Sequence, residues 1–126
     1  MAHEPGDLQG VTWQLVGMTD DSGAFIPVLG NVVITAFFDD QDPVSGSSGC
    51  NRNTGPAIHA DDGLSFGAVA ATRMMCSDSQ VMAEESRYLD LLARVGDYRI
   101  SVGPDGRKVE LLDGEGSRIM EFSEMW

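Results

Sequence analysis

The chain is poor in the residue types that most often carry chemistry. Its 126 residues include only two cysteines, two histidines and 7% aromatic residues. A protein zinc site wants about four ligands, so this supply leaves little scope for a metal, and we predict neither a metal nor a cofactor. No hydrophobic run approaches the ~20 residues that cross a bilayer. We therefore predict a globular domain that does not insert into a membrane.

Basic residues are scarce as well. Eight Lys and Arg stand against 20 Asp and Glu, which gives a formal net charge of −12. Binding to nucleic acid or to an anionic membrane surface depends on Lys and Arg, so the composition disfavours both partners. We interpret the acidity as a charge that keeps the protein soluble, and we expect a monomer.

The length fits one domain, which we place at residues 8–126 after a polar tail at residues 1–7. The tail shows no charged-then-apolar leader. Two interpretations stay open: a cytosolic protein, or a chain whose leader has been removed. We favour the second because of the cysteines.

Apolar periodicity and turn residues predict mostly strands. Predicted strands are Val11–Val16, Phe25–Leu29, Asn31–Phe38, Leu64–Phe66, Tyr98–Val102, Val109–Leu112 and Arg118–Phe122. Residues 45–55, rich in Gly, Ser and Asn, predict short strand pieces joined by tight turns, and residues 69–75 an extended segment. One helix is predicted from about Gln80 to Arg94, with Ser77 and Gln80 at capping-box spacing and Gly96 as its stop.

The two cysteines lie about 25 residues apart, each in its own dense polar motif. We favour a disulfide between Cys50 and Cys76, which would add roughly 3 kcal/mol of stability by the chain-entropy model and would indicate an oxidising compartment. Two alternatives stay open: a pair of buried thiols, and a thiol-dependent enzyme or redox protein that uses a cysteine with His59.

Four polar residues near these cysteines form the second candidate site. If the disulfide forms, Asn51 and Arg73 are drawn together, with Arg52 beside them. Glu85 lies on the predicted helix near its apolar face and would need a polar or cationic partner if it is buried. A structural Arg–Glu pair with an Asn tying down a turn is favoured over a polar anchor at the mouth of a ligand groove.

Five segments of the chain resemble the META domain family, also called HslJ-like. They are Leu8–Leu15 (LQGVTWQL), Val44–Arg52 (VSGSSGCNR), Leu64–Gly67 (LSFG), Thr72–Cys76 (TRMMC), and the helix pattern of Glu85, Tyr88, Leu89 and Leu92. The similarity covers nearly the whole chain, and the two cysteine motifs are specific in combination.

The resemblance implies a small β-rich α+β domain of the bacterial envelope, periplasmic or secreted and often lipid-anchored. It brings no catalytic residues, and members are linked to stress and drug tolerance. We therefore predict a curved antiparallel sheet that closes as a partial barrel, with one packed helix at about residues 80–94. The predicted function is non-enzymatic binding of a protein partner or a small apolar ligand.

Overall fold

A computed structural model describes residues 10–20, 22–28, 33–38, 43–48, 51–60, 63–67, 69–72, 79–104 and 106–125. Within these ranges, the side chains of residues 43, 48, 58–60, 63 and 71 are not described. Both cysteines, Arg73, and the predicted cap at Ser77 lie outside the described residues, so the disulfide remains a prediction.

The described residues form ten strands and one helix. In chain order these are β1 (Thr12–Thr19), β2 (Phe25–Pro27), β3 (Ile34–Phe38), β4 (Pro43–Ser48), β5 (Arg52–Ala60), β6 (Gly63–Phe66), β7 (Ala70–Ala71), α1 (Ser79–Leu92), β8 (Val95–Gly103), β9 (Gly106–Asp113) and β10 (Arg118–Glu124).

All strand pairings in the described residues are antiparallel, in the order β6-β5-β4-β3-β1-β10-β9-β8. Two short strands lie off this path, because β2 pairs only with β1 and β7 only with β5. The two end strands, β6 and β8, come into contact with each other. The sheet is therefore nearly closed into a barrel, which confirms the predicted β-rich α+β fold with one helix.

The core lies inside the curved sheet and under α1. Alternate residues of each strand point inward, and the helix adds a buried face that includes Tyr88 and Leu92. Tyr88 meets Phe122 edge to face, with ring centroids 6.3 Å apart. The largest fully buried side chains are Trp13, Tyr88, Tyr98, Phe122 and Met18. Large aromatic side chains thus fill the space between helix and sheet.

The Gly- and Ser-rich segment differs from the prediction. Residues 43–48 and 52–60 form two regular strands, β4 and β5, rather than short pieces. Their neighbours supply a complete ladder, since β4 pairs with β3 over five residues and with β5 over five. Glycine has a packing role here, because a Cβ on Gly46 would overlap the Thr35 carbonyl oxygen of β3. Tertiary pairing overrides weak local strand propensity.

The predicted helix stop at Gly96 is wrong. The helix ends at Leu92, and the Arg94 N–H donates to the Leu91 carbonyl at 2.9 Å in a tight turn that leads directly into β8. Gly96 is a residue of that strand, at a register shift between Val95 and Asp97. A Cβ there would lie 3.3 Å from the Cα of Gly114 on the neighbouring turn. The glycine therefore serves the bulge and not the helix end.

Candidate functional site

The outer face of β3, β4 and β5 carries a set of polar side chains that the strand register places side by side. Thr35 lies opposite Ser47, and Ser47 lies opposite Arg52. In the next row Ser45 lies opposite Thr54. We call these five residues the Arg52 face. Directly opposed residues on antiparallel strands have Cβ atoms about 4.5–5.5 Å apart, so the hydroxyls and the guanidinium share one surface.

Two clefts adjoin on this face. The first has a volume of about 360 Å³ and is lined by Thr35, Ser45, Gly46, Ser47, Arg52 and Asn53. The second, of about 390 Å³, is lined by Arg52, Asn53, Thr54, Ala70 and Thr72, and its exposed walls are mostly carbon. Arg52 and Asn53 belong to both linings. A polar cleft and a more apolar one therefore meet at these two residues.

Arg52 differs in its charge environment from most of the other cations. Its guanidinium makes no ion pair with any residue that the structure describes, whereas four other arginines each do. The pairs are Arg99–Glu110 (2.6 Å), Arg107–Glu124 (2.9 Å), Arg118–Glu121 (3.2 Å) and Arg87–Glu84 (3.9 Å). No carboxylate belongs to the five residues of the Arg52 face. Arg52 is thus the one charged residue among the five of the Arg52 face.

A buried hydrogen-bond network lies beneath this face. Asn51 donates to Glu85 on α1 twice, from its backbone N–H to Oε2 at 2.9 Å and from Nδ2 to Oε1 at 2.8 Å. Asn51 and Glu85 are 3% and 8% exposed. The Thr72 hydroxyl donates to Asn51 Oδ1 at 2.9 Å and accepts the Arg52 N–H at 3.1 Å. The network therefore joins the helix to the backbone of Arg52.

The four predicted polar residues are thus placed differently. The structure brings Asn51 and Glu85 into direct contact in the interior. Arg52 starts β5 with an exposed side chain on the opposite face of the strand. Arg73 lies outside the described residues, so its pairing with Glu85 stays a prediction. So does thiol chemistry, because both cysteines and the His59 side chain lie there too.

Two residues of this site were missed from the sequence. Thr72 links Asn51 to Arg52, and Asn53 is 6% exposed with an Nδ2 that has no hydrogen-bond partner in the described part of the chain. The available signal was the period of two in Asn51, Asn53, Gly55 and Ala57, which puts their side chains on one face of a strand.

A third cleft, of about 280 Å³, lies between the end of β1 and α1. Its lining includes Asp20, Arg87, Asp90 and Arg94, so opposite charges balance. The Ser22 hydroxyl, two backbone N–H groups and the nearby Arg87 hold the pKa of Asp20 below its usual value. This carboxylate accepts the bonds of its own turn. The arrangement is that of a structural turn.

Elsewhere, burial raises the pKa of the Tyr88 hydroxyl. Among the described residues, no group of three or more His, Cys, Asp or Glu side chains is placed to hold a metal ion. Within the same ranges, no helix has the length and apolar character that a membrane span requires.

The geometry defines a class: a nearly closed β-barrel-like domain with one packed helix and a polar outer face with two clefts. The META domain model matches residues 6–126, and the chain belongs to the META domain family.

Two solved structures share this fold. A protein from Burkholderia xenovorans, determined by NMR, is 24% identical with a TM-score of 0.75, and the match covers 99% of this chain and 92% of that one. A second NMR structure is 20% identical with a TM-score of 0.63, covering 96% and 94%. The curated proteins gave no match.

Proposed function

We propose that this protein is a non-enzymatic domain of the bacterial envelope, periplasmic or secreted, that binds a protein partner through the Arg52 face. The observation that carries the proposal is an exposed guanidinium without an ion pair in the described residues, set where two clefts meet. An exposed arginine beside concave surface is typical of binding sites, since Arg is enriched at interfaces. The proposal includes a role in stress or drug tolerance, exerted through that partner.

Binding is favoured over catalysis by the composition of the clefts. A serine or threonine nucleophile needs an adjacent general base. The residues that line the two clefts include hydroxyls, amides and one guanidinium, with no His, Asp or Glu among those described. These groups can donate and accept hydrogen bonds, but they offer no partner that would activate a hydroxyl.

A protein partner is favoured over a small apolar ligand by the packing of the interior. An enclosed apolar ligand needs a cavity, whereas Trp13, Tyr88, Tyr98 and Phe122 fill the space between helix and sheet. The clefts on the Arg52 face are open surface features and mix polar with apolar walls. Such a surface suits a polypeptide segment better than a lipid chain.

Site-specific photo-crosslinking in the bacterium that encodes the protein tests the proposal. A photoreactive residue at Thr54, which is exposed on the Arg52 face, should give a discrete adduct with one protein. The same residue at Ser101, which is exposed on β8, serves as the matched control and should not. Arg52→Ala should reduce the Thr54 adduct severalfold. Equal adducts from both positions, or an adduct indifferent to Arg52→Ala, would refute the proposal.

The compartment is tested in the same cells. Osmotic-shock and membrane fractions should contain the protein, and the cytosolic fraction should not. A purely cytosolic distribution would contradict the envelope part of the proposal without affecting the binding part.

A further inference from the structure

We infer that the Arg52 face recognises one carboxylate of its partner, carried on a polypeptide segment with small aliphatic side chains beside it. This inference rests on the proposed function and adds the chemistry that the face selects. It starts from the charge of Arg52, which no described carboxylate neutralises, although the chain has 20 acidic residues. A guanidinium binds a carboxylate through two parallel N–H···O bonds.

The neighbours of Arg52 favour an acceptor group over a donor. Ser47 lies directly opposite it, and Thr35 lies opposite Ser47. Hydroxyls rotate to donate to whatever acceptor is present, so this row can add hydrogen bonds to a carboxylate that the guanidinium holds. A cationic group of a partner would instead meet the like charge of Arg52, with no acidic side chain among the five residues of the Arg52 face.

The overall charge limits how acidic the partner can be. A net charge of −12 repels a polyanion. At physiological ionic strength this repulsion still acts over about 8 Å, so each additional acidic residue of a partner near the protein surface opposes binding. A single carboxylate can pair with the Arg52 guanidinium at short range while adding little repulsion from the net negative charge of the protein. We therefore expect a segment with a single Asp, Glu or terminal carboxylate rather than an acidic run.

The second cleft suggests what flanks that carboxylate. Thr54, Ala70 and Thr72 line it, and its exposed walls are mostly carbon. An aliphatic side chain next to the carboxylate would cover these walls. Sugar rings more often use an exposed aromatic platform, and the clefts contain no aromatic side chain among their described linings. The peptide is therefore favoured over an acidic glycan.

NMR titration of the ¹⁵N-labelled protein provides the test, with N-acetylglutamate α-amide, which carries one carboxylate, as the probe and N-acetylglutamine α-amide as its uncharged match. The glutamate should shift the amide signals of Ser47, Arg52 and Thr54 in a saturable way. Arg52→Gln should weaken this binding by about tenfold or more, the value of one charge-assisted pair. Lys108→Gln is the matched control, because Lys108 is also exposed on the outer face without an ion pair in the described residues, and it should leave the affinity unchanged.

Three outcomes overturn the inference. Equal shifts from both probes would show that charge is not selected. Stronger shifts from galacturonate than from the acetylated and C-terminally amidated dipeptide Ala-Glu, each with one carboxylate, would identify a glycan site. Absence of any shift, while Thr54 still gives its crosslinked adduct, would remove the carboxylate and leave the protein-binding function standing. If the crosslink fails as well, both proposals fall.

Discussion

Replacing Asn51 by alanine should expose how much the buried network contributes to stability. The substitution removes the Nδ2 donor that lies 2.8 Å from Glu85 Oε1 and the Oδ1 acceptor that lies 2.9 Å from the Thr72 hydroxyl. It leaves the backbone N–H of residue 51, which donates to Glu85 Oε2, in place. Between described residues, the change thus removes these two side-chain hydrogen bonds, at a position that is 3% exposed.

The size of the effect follows from the two bonds. A hydrogen bond to a carboxylate contributes about 1.5–3 kcal/mol and a neutral bond about 1 kcal/mol. The partners that remain are held in place, so water cannot fully replace the lost amide. We expect Asn51→Ala to lower the free energy of unfolding by about 3 kcal/mol. For a domain of this length that is a fall in Tm of roughly 12 °C, at about 4 °C per kcal/mol.

Urea unfolding followed by tryptophan fluorescence measures this loss, since Trp13 is fully buried and reports on the core. An unchanged m-value is needed for the comparison to hold. Thr72→Val serves as the control. It removes a hydroxyl that makes two neutral hydrogen bonds, but the residue is exposed, so water replaces part of them and the cost in the free energy of unfolding should be about 1 kcal/mol. A loss below about 1 kcal/mol for Asn51→Ala, or an equal loss for both variants, would refute the reasoning.

Two further predictions concern other parts of the fold. Gly46→Ala should lower the free energy of unfolding by about 3 kcal/mol, because its Cβ would overlap the Thr35 carbonyl oxygen. Gly114→Ala is the control and should be nearly neutral, because its Cβ would meet nothing within 4 Å. Equal stabilities of the two variants in thermal unfolding would contradict this prediction. The hydrogen bond from Arg107 holds the pKa of Glu124 below its ordinary 4.5. That stabilisation is present above this pH and is lost as the pH falls through the lowered pKa, so the stability gap between wild type and Glu124→Gln should shrink from pH 5 to pH 3. If urea unfolding gives the same stability difference between the two proteins at pH 5 and pH 3, the Arg107–Glu124 pair does not stabilise the fold as argued.

Sequence periodicity predicted the C-terminal half of the barrel well. Val109–Leu112 and Arg118–Phe122 alternate strongly and are separated by clear turn residues, and both lie within observed strands. The two full strands at residues 43–48 and 52–60 were not predicted, because Gly, Ser and Asn have low strand propensity. Their order comes from pairing with β3, and no local pattern encodes that pairing.

In the candidate site, too, the local sequence predicts some features and tertiary pairing decides the others. Burial of Glu85 could be foreseen from its place on the helix, and the structure finds it 8% exposed. Its contact with Asn51 joins residues that are 34 positions apart, a relation that depends on how α1 crosses the sheet. The row from Thr35 to Ser47 and Arg52 depends in turn on the register of two strand pairs. Composition identifies the groups, but register decides which of them meet.

The buried network and the exposed face are one construction, joined at the backbone of Arg52. The Arg52 N–H donates to the Thr72 hydroxyl at 3.1 Å, and the Thr72 N–H donates to the Arg52 carbonyl at 2.9 Å. Both residues are tied through Asn51 to the helix. The backbone that carries the guanidinium is thereby held in place. If the protein binds a partner there, as we propose, binding needs to order only a side chain, which limits the entropic cost. A buried polar network that is expensive to assemble is best understood here as the support of the surface above it.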